Sequence, residues 1–266
     1  ETGAAEISVT AATLNVGTQA WTTVDSNAVD GGSSAMYRPG KIIKTGKASD
    51  SGGTVAASNT TYLLDMTQPS PAWKQTASMA LPRSFHNLTL LPDGNVLVTG
   101  GGKDTSGTNL SNAVLPAEMW NPSTQAWTTM ASMSVPRLYH STALLMPDAT
   151  VLVSGGGADH WDQATDEKSA QIYSPPYLFK GARPAIASAQ SSIQYGSTFT
   201  VGTPDASSIA SIALMRTGAV THAFNQNQSF MNLSFQLSGS SLSVQAPANA
   251  NQAPPGYYML FIVNTS

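Results

Sequence analysis

The chain has no cysteine. A disulfide framework, a thiolate metal site and a cysteine nucleophile are therefore excluded within it, and cysteine usage says nothing of its redox compartment. Charge is scarce too. Asp, Glu, Lys and Arg make up 10% of the residues, against about 25% in an ordinary soluble domain. Ser, Thr, Asn, Gln and Gly take their place. Net charge is −3 with no basic run, so nucleic acid, which needs clustered Lys and Arg, is not an expected partner. No apolar run approaches the ~20 residues of a membrane-spanning helix. No Gly-rich phosphate loop stands at a strand-to-helix junction, and there is no Gly-X-Ser-X-Gly elbow. No amphipathic helix stands out. At 266 residues the chain can still bury a substantial core, in one or two domains.

What is present begins with six Asn-X-Ser/Thr sequons, at Asn59, Asn87, Asn109, Asn227, Asn232 and Asn264. They point to secretion. The Glu1-Thr2-Gly3 start carries no hydrophobic signal run and reads as a processed or artificially set end.

A repeat organises the first two thirds. Thr18-Gln19-Ala20-Trp21-Thr22-Thr23 returns residue for residue as Thr124-Gln125-Ala126-Trp127-Thr128-Thr129, and Trp73 falls between them at a spacing of about 50 residues. After each Trp come an apolar strand, a turn and a second strand ending in Gly: Lys41–Gly46, Asn95–Gly100 and Thr150–Gly155. Met119-Trp120-Asn121-Pro122 and Ile172-Tyr173-Ser174-Pro175 read as third strands. Short β runs at this period predict Kelch-type propeller blades. Three units span about residues 12–177, fewer than the four to eight that close a ring, so an open arc with two apolar flanks is expected. From Leu178 onward short strands separated by turns predict a β-sandwich, expected to lack its final strand. The predicted fold is all-β: about three blades of a partial Kelch-type β-propeller over 1–177, then an immunoglobulin-like β-sandwich over 178–266.

The candidate chemistry sits in Pro136-Arg137-Leu138-Tyr139-His140-Ser141. Its repeat copy is Pro82-Arg83-Ser84-Phe85-His86-Asn87, with Phe in place of Tyr. Imidazole plus phenolate, without thiolate or clustered carboxylate, suits copper or iron better than calcium or magnesium. Consecutive strand residues face opposite ways, so Tyr139 and His140 can share an ion only at a bend or strand start. Pro136 makes such an entry plausible. The second reading of the pair is blade architecture, with each His bonding a backbone group. His86 fits that role. His160, between Asp159 and Asp162, fits a polar loop, and His222 on its own is a loop histidine. Asp159, Asp162, Asp166 and Glu167 do not have EF-hand spacing and read as a solvated loop.

These residues resemble a known family, the radical copper oxidases of the galactose oxidase and glyoxal oxidase type. The resemblance is carried by Arg137-Leu138-Tyr139-His140-Ser141, Gly155-Gly156-Gly157, Ala170–Leu178, Ala182-Arg183-Pro184, Val220–Asn225 and Pro254–Phe261. It implies a seven-bladed Kelch propeller followed by an immunoglobulin-like domain, with the blades present here being the last three. It implies one copper ion held by Tyr139, His140 and His222. Tyr139 would be the axial ligand and the acceptor of the substrate's hydroxyl proton. It implies oxidation of a small alcohol, aldehyde or carbohydrate by oxygen, with hydrogen peroxide as co-product, in a secreted enzyme. It also implies a radical on a second tyrosine cross-linked to a cysteine. This chain has no cysteine, so that cofactor cannot form within it, and the missing N-terminal blades become an expected partner. The family's substrate-side aromatic of the preceding blade is expected at Leu115. The alternative is a non-catalytic propeller-sandwich that binds glycan or protein.

Overall fold

The computed structural model describes residues 10–47, 54–157 and 166–265. It is all-β. Residues 11–75 hold six strands: β1 (Ala11–Asn15), β2 (Ala20–Asp25), β3 (Ser33–Arg38), β4 (Lys41–Thr45), β5 (Thr61–Asp65) and β6 (Lys74–Gln75). Next come β7 (Asn87–Leu90), β8 (Val96–Thr99), β9 (Pro116–Asn121), β10 (Ala126–Ser132), β11 (Ser141–Leu145), β12 (Val151–Gly155) and β13 (Ala170–Tyr173). The last part holds β14 (Ser188–Ala189), β15 (Thr198–Gly202), β16 (Ile209–Arg216), β17 (Val220–Thr221), β18 (Phe224–Asn225), β19 (Ser229–Leu233), β20 (Phe235–Ser238), β21 (Ser241–Gln245) and β22 (Tyr258–Asn264).

Antiparallel meanders β3-β4-β5-β6 and β7-β8-β9-β10 form two four-stranded blades, and β11-β12-β13 a three-stranded one. Their first strands pack side by side, β3 on β7 and β7 on β11. Among the described residues the blades make an arc and no closed ring. The Trp21 unit is a lone hairpin, β1-β2. It matches β9-β10 down to the turn, where Gln19 and Gln125 take φ of 56° and 54°. Trp127 clamps its blade to the one before, its indole Nε1 donating to Thr61 Oγ1 and Ala77 O, both at 3.1 Å. Trp21 is 69% exposed. With Leu14 and Val16 it forms the expected apolar flank.

In the sandwich, sheet β14-β15-β21-β20 faces sheet β19-β16-β22. Phe199, Val201, Ile212, Leu214, Met231, Leu233, Leu242 and Val244 fill the space between. The other face of the second sheet is buried as well. Ala213, Met215, Phe230 and Phe261 pack with Leu88, Leu90, Val96 and Trp120 of the blades in one shared core. Burial on both faces explains why β16 and β22 read as continuous apolar runs and not as alternating ones. Arg38 of the first complete blade lies over the Phe230 ring, 4.2 Å from its centroid.

Between β16 and β19 the chain leaves the sandwich as the short hairpin β17-β18. This hairpin touches β3, β7 and β11, the first strands of all three blades. Gln228 just beyond it imitates a strand neighbour: its side chain accepts from Leu90 N at 2.9 Å and donates to Leu88 O at 2.8 Å. No helix among the described residues is long and apolar enough to cross a membrane.

Candidate metal centre

Tyr139 and His140 lie just before β11, outside the regular strand. His140 has φ 60°, so the alternation of strand side chains does not apply. The two rings stack with centroids 3.8 Å apart. The bend is held from several sides. Ser141 N donates to Leu138 O at 3.0 Å, Tyr139 N to Gly107 O at 3.2 Å, and Gly157 N to Tyr139 O at 3.0 Å. Arg137 is fully buried. Its Nη1 donates to Gly155 O and Ser169 O at 2.9 and 3.0 Å, and its Nη2 to Ser169 Oγ at 3.0 Å. Gly107 has φ 70°, and a Cβ there would press on Phe85 and Tyr139 at 3.0 Å. A side chain there would crowd those rings and strain the left-handed backbone.

His222 arrives from the other side. It and Ala223 are the two central residues of the β17-β18 hairpin, with φ of 51° and 66°. Positive φ at both positions is what a type I′ turn demands, and it is normally met by Asn-Gly. Here His-Ala bears it, at about 1–2 kcal/mol per non-glycine residue. Ser33 of β3 secures the turn, its buried hydroxyl donating to Ala223 O at 2.6 Å. The His222 ring lies 5.0 Å from that of His140 and 5.6 Å from that of Tyr139, both edge-on. His222 Nδ1 is 2.5 Å from Thr221 Oγ1, which leaves Nε2 as the nitrogen for another partner.

The structure thus brings Tyr139, His140 and His222 into one cluster across more than eighty residues of sequence. Among the described residues no three His, Cys, Asp or Glu side chains group as a metal site. The donors are two imidazoles and a phenol, a set that fits copper or iron. His86 is elsewhere in role. It is fully buried, its Nε2 is 2.7 Å from Thr45 Oγ1, and burial, with Arg83 nearby, lowers its pKa to about 3. The expectation of a backbone partner for it is corrected to a threonine hydroxyl. Leu115 lies just before β9, its carbonyl taken by Met133 N at 2.9 Å. From that blade the segment around Gly107 approaches Tyr139. Among the described residues Asp166 and Glu167 group with no third His, Cys, Asp or Glu, and Glu167 accepts from Ser169 N at 2.8 Å. His160, Asp159 and Asp162 lie outside the described residues. Phe85, the repeat counterpart of Tyr139 in the sequence, lies edge-on to it at 4.8 Å; sequence reasoning did not single out Thr221.

Comparison with known proteins decides the family. The family model described as glyoxal oxidase N-terminus matches residues 28–177, and that described as galactose oxidase-like, early set domain, matches residues 183–266. The chain belongs to the galactose oxidase and glyoxal oxidase family. Galactose oxidase of Gibberella zeae is 32% identical over 88% of this chain and 36% of its own length. Aldehyde oxidase GLOX1 of Arabidopsis thaliana is 29% identical over 75% of this chain and 36% of its own. A fungal alcohol oxidase of the AA5 family, solved in complex with copper, superposes with a TM-score of 0.85 at 29% identity, over 94% of this chain and 55% of its own. The chain therefore spans about a third of these two oxidase sequences and about half of the solved one. Membership of this copper oxidase family agrees with the all-β fold of propeller-type blades followed by a sandwich.

Proposed function

We propose that this chain is part of a secreted copper radical oxidase. In this reading it oxidises a primary alcohol or aldehyde with molecular oxygen and yields hydrogen peroxide. Residues 1–177 would be the last three blades of a Kelch-type propeller and 178–266 the immunoglobulin-like domain. The observation that carries the reading is the meeting of Tyr139, His140 and His222, two from the bend before β11 and one from the tip of β17-β18. These three would hold one copper ion through two imidazole nitrogens and a phenol oxygen. When bound, copper supplies one-electron redox chemistry and the Lewis acidity that lowers a phenol's pKa. Tyr139 then accepts the substrate's hydroxyl proton, a general-base role. His140 and His222, fixed by their backbone turns, keep the donor set in register. Two electrons and two hydrogens leave the substrate's C–H and O–H, and oxygen takes up both to become peroxide. The cross-linked tyrosine and cysteine of this family must come from outside this sequence, which has no cysteine. The partner is thus the remaining blades.

Secretion finds support in the exposed sequons at Asn109 and Asn232. Asn87 gives none: it is 2% exposed and its amide donates to Ser141 Oγ at 3.1 Å.

Titration with copper(II), followed by EPR, tests the ligand set. One equivalent should bind with nitrogen hyperfine coupling, and His222→Ala should weaken binding at least a hundredfold. If that variant holds copper as tightly as the parent, the proposed site is wrong.

A further inference from the structure

The sandwich carries a groove that the oxidase reading does not use. It lies between segments 190–195 and 247–258 and encloses about 410 Å³, inside the usual range of about 300–1,000 Å³ for small-molecule sites. None of its lining residues belongs to the Tyr139–His140–His222 cluster or to the hairpin that carries His222. Two of its tyrosines open to solvent, Tyr257 at 87% and Tyr195 at 44% exposure.

The rim is fixed. Tyr195 Oη donates to Ala253 O at 2.6 Å and Tyr258 Oη to Pro254 O at 2.7 Å. The loop between them contains Pro254 and Pro255, whose backbones have little freedom to lose on binding. Opposite the loop stand Gln190, Ser191, Ser192 and Gln194, all exposed. No charged side chain is among its lining residues, and among the described residues the one cation that borders it is the Arg216 guanidinium, beside Gly256 and Tyr258.

Flat aromatic faces on a rigid rim, amides and hydroxyls opposite them, and no charged lining residue form one chemical pattern. An aromatic ring covers the apolar C–H face of a sugar, while amides and hydroxyls exchange hydrogen bonds with its hydroxyl groups. We propose that this groove binds a neutral saccharide, with Tyr257 as the stacking platform and Gln190 and Gln194 as the main hydrogen-bonding groups. A single bordering cation favours a neutral chain over uronic acid or sulfated glycans, which are met by clusters of Arg or Lys. A proline-rich peptide also packs on tyrosines, but the four polar side chains of the rim answer hydroxyls better than a pyrrolidine ring. The site would tether the protein to polysaccharide, independently of copper.

The test is native electrophoresis of the whole chain through gels containing galactomannan, xylan or mixed-linkage glucan, with polygalacturonate as the charged control. Retardation is expected on at least one neutral polymer and not on polygalacturonate. Tyr257→Ala, at a position too exposed to unfold the sandwich, should weaken it at least tenfold, and Gln194→Ala less. His222→Ala should be retarded like the parent, which separates this proposal from the copper reading. Migration unaffected by every neutral polymer overturns the proposal. So does equal retardation of Tyr257→Ala, preference for polygalacturonate, or binding confined to a polyproline peptide.

Discussion

Phe85-His86 and Tyr139-His140 stand at the same place in successive blades, yet their histidines end in opposite surroundings. In the first, the left-handed residue is Phe85, φ 55°. The chain has already turned when it reaches His86, which goes fully inside against Thr45. In the second, the left-handed residue is His140 itself. The turn comes one position later, His140 is exposed, and its ring lies on Tyr139. The two strands that follow start at equivalent residues, Asn87 and Ser141. A one-residue shift in a single positive φ thus separates a structural histidine from a candidate ligand.

The arginines just upstream give the largest expected contrast. Arg83 and Arg137 are both fully buried, and each caps the carbonyl at its blade's glycine turn, Gly100 O at 2.8 Å and Gly155 O at 2.9 Å. Arg83 also pairs with Glu118 at 3.0 Å, with both side chains at 0% exposure. Glu118 further accepts from Ala80 N at 2.6 Å. In the next blade the corresponding strand position is Gln171, and Arg137 turns to Ser169. Arg83→Met should cost about 3–5 kcal/mol, because it leaves a buried carboxylate unpaired. Arg137→Met leaves only neutral acceptors and should cost about 1–3 kcal/mol. Urea unfolding of the two variants measures the gap. Equal losses would mean that the ion pair adds nothing to the β7–β10 blade.

Acid separates the two histidines next. With its pKa lowered to about 3 by burial, and by Arg83 secondarily, His86 stays neutral in the folded protein while its unfolded counterpart titrates near 6.5. Between those values the unfolded state binds the extra proton, so stability is full above about pH 6.5 and falls with acidification. The loss is about 1.4 kcal/mol per pH unit, or about 2.7 kcal/mol at pH 4.5. His86→Gln should remove that slope from the pH dependence of unfolding. His140→Ala should leave it in place.

Tyr139→Phe gives the β11–β13 blade the pair of the β7–β10 blade. It keeps the ring contacts with Phe85 and His140, so the loss in urea unfolding should stay within about 1.5 kcal/mol, that of one hydroxyl hydrogen bond. Copper affinity should fall about tenfold, and any phenolate-to-copper absorption band should vanish. Full retention of both would remove Tyr139 from the ligand set and leave the two imidazoles.

These contrasts also mark what the sequence could reveal. The blades were legible because their signals are local: the repeated Trp hairpin, the Val- and Leu-rich strands, and the glycines at 100 and 155 that close them. The demotion of His86 was legible from the repeat. Tyr139, His140 and His222 were legible as a set only through the family resemblance, because their meeting depends on positive φ at His140, His222 and Ala223. A left-handed histidine or alanine is uncommon and has no propensity signal. The hairpin β17-β18 has two-residue strands, too short for periodicity to register. The burial of β16 on both faces follows from a contact between sandwich and blades, which no window along the chain contains.

The smallest contrast lies in the turns after the two inner strands. The β7–β10 blade has Pro92-Asp93-Gly94-Asn95, with Gly94 at φ 84°. The β11–β13 blade has Pro147-Asp148-Ala149-Thr150, with Ala149 at φ 66°. The turn is otherwise the same. Asp93 Oδ1 accepts from Asn95 N at 3.0 Å, and Asp148 Oδ1 from Thr150 N at 3.0 Å. Alanine in this backbone region is strained by about 1–2 kcal/mol, and glycine gives back part of that through its greater unfolded-state freedom. Ala149→Gly should therefore shift stability by less than about 1 kcal/mol, because relief of that strain is offset by the loss of a core methyl, while the Tyr177 bond to the carbonyl survives the change. Gly94→Ala should destabilise by more than that, since its Cβ would collide with the Arg38 guanidinium as well as strain the turn. A near-neutral change in the first and a clear loss in the second, read from urea midpoints, would show that the two turns share one backbone requirement and that only one of these two blades meets it with glycine.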